Sequence, residues 1–295
     1  MKSSALPFIL AAALTAIIPA VACINESGTN QLGERVQLIS VGGQRLLPYL
    51  TTRSLDADLI THSKYTIAHV KGDPSFDNLN DLAVVLIRFG RLPEAVKLLQ
   101  FLERKFPGNY QTASNIGTAY ELMGKNEKAL KWILEGVKRN PNDHEGTEWL
   151  HVQILKVKMG QAAQPLPGRS ILNLDFGNDA LPRRPLNLPA GNSGQPLSVV
   201  LLGLSLRYQL FERIQFVAAP DPIVAGLLLD WANLELLAGT LESADVLYDA
   251  ALRYGSREGQ IIAARKKQIA KILAAPRGHR AVEGQCELCA PPMER

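Results

Sequence analysis

Residues 76–109 read FDNLNDLAVVLIRFGRLPEAVKLLQFLERKFPGN, and the next 34, residues 110–143, read YQTASNIGTAYELMGKNEKALKWILEGVKRNPND. Laid one over the other, Leu82-Ala83 falls on Ile116-Gly117, Gly90 on Gly124, Ala95 on Ala129 and Pro107 on Pro141. One offset shared by all these pairs marks an internal repeat. Within each unit the apolar residues follow helical spacing, and Pro93 stands early enough to sit in a first turn. Ala83, Gly117, Ala95 and Ala129 lack bulk, so two antiparallel helices can approach closely where they meet. Gly90 and Gly124 supply the left-handed residue that ends a first helix, while Pro107 and Pro141 stop the second. The unit is helix, turn, helix.

A third unit begins in the same register over residues 144–160, but His151 stands where a small residue is expected and a Pro/Gly-rich stretch follows. It reads as a degenerate repeat. Farther on, Asp221-Pro222 is a helix-opening pair. Over residues 225–258, Ala232, Gly239, Ala244, Tyr248 and Ala251 occupy the small, turn and aromatic places of another unit, with Ser256 where the closing proline would stand.

These residues, with Tyr120 on an aromatic position, make the chain resemble the tetratricopeptide repeat (TPR) family. The resemblance implies an all-α, TPR-like helix-turn-helix solenoid, interrupted by a Pro/Gly-rich linker and preceded by a short irregular lead-in. One such hairpin cannot bury its own apolar face, so neighbours must stack. Helices around residues 55–71 and 197–216 are expected to join as non-consensus units, and the run Leu197–Leu206 reads as core. The helix over Ile261–Leu273, with Arg265, Lys266, Lys267 and Lys271, reads as a polar C-terminal cap.

Residues 1–22 carry Lys2, an apolar run interrupted by Pro7 and closed by Pro19, and Ala20-Val21-Ala22, the pattern of a cleaved export signal. Residues 23–54 are polar and glycine-punctuated, an extended lead-in around Val36, Leu38 and Ser40. The N-terminal helical block spans 55–160. Residues 161–196 hold six prolines and four glycines without sustained periodicity, a linker or a long excursion. Helical patterning returns over 197–275, and 276–295 form a polar tail.

Composition narrows the function. Of 295 residues 46% are hydrophobic and 20% charged, and 32 Lys+Arg against 28 Asp+Glu leave +4. That describes a globular chain, neither disordered nor polytopic, and without the clustered basic footprint of a nucleic-acid binder. Cleavage after Ala22 would make Cys23 the first mature residue and a candidate lipid-anchor site, in an otherwise soluble protein with no transmembrane span. Cys286 and Cys289, with two residues between them in the tail, could form a local disulfide, half a metal site or a redox pair.

Motifs for catalysis are absent. His144-Glu145-Gly146-Thr147-Glu148 starts like a zinc-protease helix, but Glu148 stands where the second histidine belongs. His144, Glu148 and His151 would share one helical face, the outer two about 10 Å apart along the axis and too distant for one ion. Such a stripe reads as a solvated or hydrogen-bonded face. Gly117 to Gly124-Lys125 mimics a phosphate loop, yet the spacing is wrong and Asn126 replaces the magnesium-binding hydroxyl. No cofactor or metal is expected.

What remains is recognition by shape. The resemblance places Asp77, Asn80, Val84 and Ile87, then Gln111, Ser114, Thr118 and Glu121, on a groove lined by first helices. Asn115 matches the one asparagine that carboxylate-clamping relatives carry in their second unit, but Asn80, Val84, Glu145 and Trp149 depart from that clamp. The expectation is a non-catalytic, exported bacterial scaffold that docks a protein or peptide of the cell envelope, periplasmic or lipid-anchored. The alternative is a thiol or metal accessory acting through Cys286 and Cys289, with the repeats as its docking surface.

Overall fold

A computed structural model describes residues 27–37, 46, 57–162 and 170–275. The export signal, Cys23, Leu38, Ser40, Cys286, Cys289 and the whole tail over 276–295 lie outside the described residues. Among the described residues these α-helices run in chain order: α1 (Ala57–Gly72), α2 (Phe76–Arg88), α3 (Leu92–Lys105), α4 (Tyr110–Leu122), α5 (Asn126–Arg139), α6 (Glu148–Lys158), α7 (Val199–Ile214), α8 (Pro222–Ala238), α9 (Leu241–Arg253) and α10 (Gly259–Ala274). The expected all-α helix-turn-helix solenoid is present.

Local chemistry sets the helix ends. Ser75 caps α2 by accepting from the Asn78 amide, Ser198 caps α7, Asp221 caps α8 ahead of Pro222, and Thr240 caps α9. Gly90 and Gly124 have φ near +70°. At each, the glycine amide donates three residues back and the next amide reaches five back, to Leu86 and Tyr120 respectively. Gly239 works differently. Its φ is −111°, and a side chain there would collide with the Glu235 carboxylate.

The small residues do what their spacing requires. Ala83, Ala95 and Ala129 are fully buried. A Cβ on Gly117 would lie 2.5 Å from Ile133, and one on Gly136 would lie 2.7 Å from the Ser114 hydroxyl. These two contacts run in opposite chain directions, so α4 and α5 pack antiparallel at close range. Around them α2–α5 share one core with Leu99, Leu102, Ile116 and Ile133 at its centre. In the second core, Ala232, Ala244, Tyr248 and Ala251 are likewise buried between α8 and α9, and the Tyr248 hydroxyl donates to Asn233 at 2.7 Å.

Helix α6 belongs to both cores. Val152 and Leu155 face the first, while Trp149, Leu150, Ile154 and Val157 face the second. It starts at Glu148 because His144 and Glu145 adopt positive φ inside a short 3-10 segment, Asp143–Gly146. The single helical face expected to carry His144, Glu148 and His151 is therefore broken after its first residue. Helix α7 packs beside α6, with Trp149 Nε1 donating to Ser205 and Gln209 donating to Thr147 and Glu148.

Residues 170–198, between α6 and α7, are an excursion anchored on the second core. Ile171, Leu174 and Phe176 are buried there. Ser170 hydrogen-bonds Asp230 on α8. Arg265, expected on a solvated cap, is instead 2% exposed, and it donates to Asn233 and to the carbonyls of Phe176, Gly177 and Asp179. The neighbouring Lys266 behaves as a surface residue and pairs with Asp245 and Asp249. The run Leu197–Leu206 is only partly core: Val199, Leu202 and Leu206 are buried, whereas Val200, Leu201 and Leu204 face outward.

The lead-in contains a short antiparallel hairpin, β1 (Ser27–Thr29) with β2 (Arg35–Gln37). It docks on the α8–α9 turn, where Thr29 donates twice to Glu242 and Gln31 donates to the Leu237 carbonyl. Gly28 is required because a Cβ would lie 2.6 Å from Thr240. Among the described residues, no helix is long and apolar enough to cross a membrane.

Candidate functional site

The first helices α2 and α4 stand side by side, joined by Asn115 donating to Asn80 at 3.1 Å. Along this face Asp77 is exposed, and Asn80, Val84, Gln111, Asn115 and Thr118 are half-buried. Thr118 turns its hydroxyl back to the Ser114 carbonyl. The remaining expected groove residues point inward. Ile87 is core, and Ser114 is buried and donates to Asp143.

Glu121, at the C-terminal end of α4, is the centre of a buried ion cluster. Its carboxylate accepts from His151 Nε2 at 2.6 Å, Lys158 Nζ at 2.6 Å and Arg213 Nη1 at 2.8 Å. A second carboxylate, Glu148, accepts from His144 Nδ1 at 2.5 Å and lies 3.4 Å from His151 Nδ1. The His144 ring stacks on Tyr208 of α7 at 5.3 Å between centroids. Four elements meet here: α4, the 3-10 segment, α6 and α7.

Electrostatics decide the protonation states. Burial alone would push His151 towards neutrality, but the charge and hydrogen bond of Glu121, with Glu148 behind it, overcome that and raise its pKa to about 9. Burial would likewise raise both carboxyls. Arg213 and His151 nevertheless hold Glu121 well below the usual range, and hydrogen bonds from His144 and His151 do the same for Glu148. At neutral pH both acids and His151 are charged. Toward solvent, Asp143 and Glu212 are pushed up by burial, and Tyr208 is raised to about 12 by burial and the surrounding acids.

This cluster is a clasp by construction. Glu121 and Glu148 are paired with cations of the same chain, with Glu148 Oε2 and Arg213 Nε left buried without a hydrogen bond, and among the described residues no three His, Cys, Asp or Glu side chains are placed to hold a metal. The clasp closes the end of the α2–α4 face. Arg213 comes from the last turn of α7, and Phe216, just beyond, packs on the α2–α5 core. Reading along the chain exposes His144, Glu148 and His151 as a group, but not their burial, and nothing local links Glu121 to Arg213 across 92 residues.

No protein-family model matches the chain, and no curated protein does either. Among solved structures, it is similar to a thermophilic TPR protein of Thermus thermophilus, with 16% identity over 78% of this chain and 96% of that one and a TM-score of 0.34. A TPR protein of Parabacteroides merdae is 14% identical over 77% and 98%, with a TM-score of 0.32. The MamA protein is 10% identical over 77% and 93%, with a TM-score of 0.32.

Proposed function

We propose that the protein is a non-catalytic scaffold that docks another protein of the bacterial envelope on the α2–α4 face. The observation that carries this reading is the contrast along that face. Asp77, Gln111 and Thr118 remain accessible on a rigid, close-packed helix stack, while the chemically potent groups at its end neutralise one another. Rigid helices with exposed, mixed side chains suit recognition of an extended segment or a partner helix. The export pattern at residues 1–22 supports delivery to the periplasm or, through Cys23, to a lipid-anchored form.

Photo-crosslinking residues placed at Gln111 and Thr118 test the docking face, with Phe101 on α3, which is exposed, as the control position. One discrete adduct from both face positions and none from the control is expected in intact envelopes. Adducts of equal pattern at all three positions would sink the proposal. Mass spectrometry of the mature N-terminus distinguishes a lipidated Cys23 from a free amine.

A further inference from the structure

Charge is divided unevenly between the two helices of each repeat. The second helices, α3 and α5, hold seven Lys or Arg against four Glu, a net +3, whereas the first helices, α2 and α4, hold one Arg against three acids, a net −2. Leu99 and Leu102 of α3 and Ile133 of α5 turn into one shared core, so the opposite sides of both helices look outward. Arg139 of α5 ties the two together by reaching Glu103 of α3 at 2.7 Å. On the outward sides Lys97, Arg104 and Lys105 of α3 and Lys128, Lys131 and Lys138 of α5 are all exposed. Three of the four carboxylates are held locally, Glu94 by Arg91 and both Glu103 and Glu135 by Arg139. Among the described residues Lys97, Arg104, Lys105, Lys128 and Lys131 form no ion pair.

Two apolar side chains stand among these cations, Phe101 at 41% and Leu134 at 46% exposure. Helical spacing sets Phe101 one turn from Lys97 and from Lys105, and Leu134 one turn from Lys131 and from Lys138. The Lys105 ammonium lies 5.8 Å from the centre of the Phe101 ring. An acidic phospholipid surface answers both features, with phosphates at the level of the ammonium groups and an acyl boundary beneath them for apolar tips. A nucleic acid would meet the charges but offer Leu134 no apolar layer. Five of the six exposed cations are also lysines, which meet phosphate as point charges without the two-pronged grip of arginine. We infer that the outward face of α3 and α5 seats on an acidic phospholipid bilayer, its lysines at the phosphates and Phe101 and Leu134 at the acyl boundary. The α2–α4 face belongs to the other helix of each pair, so this contact stands whether or not a protein docks there. Lipid at Phe101 adds no protein adduct, and that position keeps its use as the docking control.

Co-sedimentation of the full chain with vesicles tests this, using phosphatidylcholine alone or mixed with an equal share of phosphatidylglycerol. Phosphatidylcholine alone measures what the apolar stretch of residues 1–22 contributes. Binding should be about tenfold tighter with phosphatidylglycerol present, and that gain should vanish at about 0.5 M salt. Lys97→Glu combined with Lys131→Glu should remove most of the gain. Lys267→Glu combined with Lys271→Glu, exposed positions on α10, changes net charge equally and should keep it. Phe101→Ser combined with Leu134→Ser should weaken binding several-fold with the salt dependence intact. Melting temperature checks each fold, and if the Lys97 and Lys131 pair melts early, Lys131→Glu alone carries the test. The inference is overturned by equal binding to both vesicle types, by an equal loss in the α10 pair, by a serine pair that binds as wild type does, or by tighter binding of a short DNA duplex than of phosphatidylglycerol vesicles.

Discussion

The two cores solve the same packing problem with different means. In α2–α5 the helices alternate with tight glycine turns, the crossings are made by Ala83, Ala95, Gly117 and Ala129, and each pair stacks on its sequence neighbour. In α6–α10 the order is broken by an excursion, and distant polar groups hold the pieces together. Ser170 bonds Asp230, Arg265 bonds three excursion carbonyls, and Glu121 gathers cations from α6 and α7. Regular repeats draw their stability from shape. Where the repeat is interrupted, buried polar bonds specify which segment goes where, and such groups become costly once a partner is removed.

Polar deletions should therefore hurt the second region most. Arg213→Leu leaves Glu121 with a smaller share of buried positive charge and should cost on the order of 3 kcal/mol in urea titration. A loss within about 0.5 kcal/mol, the usual effect of a surface change, would mean that the clasp is ornamental.

Asp230 gives a pH-dependent version of the same contrast. Burial raises its pKa to about 8, above the unfolded value of about 4. The folded chain therefore keeps a proton that the unfolded chain releases, and stability should fall as pH rises from about 4 to 8. Asp230→Asn, neutral throughout, should flatten that slope and gain a few kcal/mol at about pH 8 in denaturant midpoint. His151, raised to about 9, adds a second decline between about pH 6.5 and 9, and this one should survive in the Asn variant. The lowered pKa values of Glu121 and Glu148 act at the other end, with stability lost as pH falls through the acid range. A flat profile between about pH 6.5 and 9 in the Asp230→Asn protein would contradict the charged state assigned to His151.

Smaller effects probe shape. Ala129→Leu should overpack the α4–α5 crossing and cost about 1–3 kcal/mol, as should Ala95→Leu in the preceding pair. Gly203→Ala in α7 is the counterpart on the irregular side: nothing lies within 4 Å of the added methyl. It should gain about 0.5–1 kcal/mol from helix propensity alone, and a measured loss would reveal packing on α7 that the fold does not contain.

Much of the first region was legible because its determinants are local. The offset that superposes Ala95 on Ala129 reflects helices that touch their own sequence neighbours, and Gly90 and Gly124 have the turn geometry their positions imply. Legibility fails where contacts are remote. The positive φ at His144 and Glu145 starts α6 late, so a stripe read as one helical face became two residues on α6 and one before it. Arg265 looked like a surface cation among lysines because its carbonyl acceptors lie almost ninety positions upstream. Glu121 carries a groove register and is a buried hub, for the same reason.

Period, turn chemistry and the need of single hairpins to stack are written in the order of the residues, since 34-residue spacing, small crossing residues and glycine turns act within one or two units. Three-dimensional packing alone settled that α6 serves two cores, that the excursion from Ser170 onward is anchored on the second of them, and that Glu121 faces Arg213. Those outcomes depend on desolvated charges and carbonyls finding partners far along the chain, and pairing of that kind leaves no periodic trace.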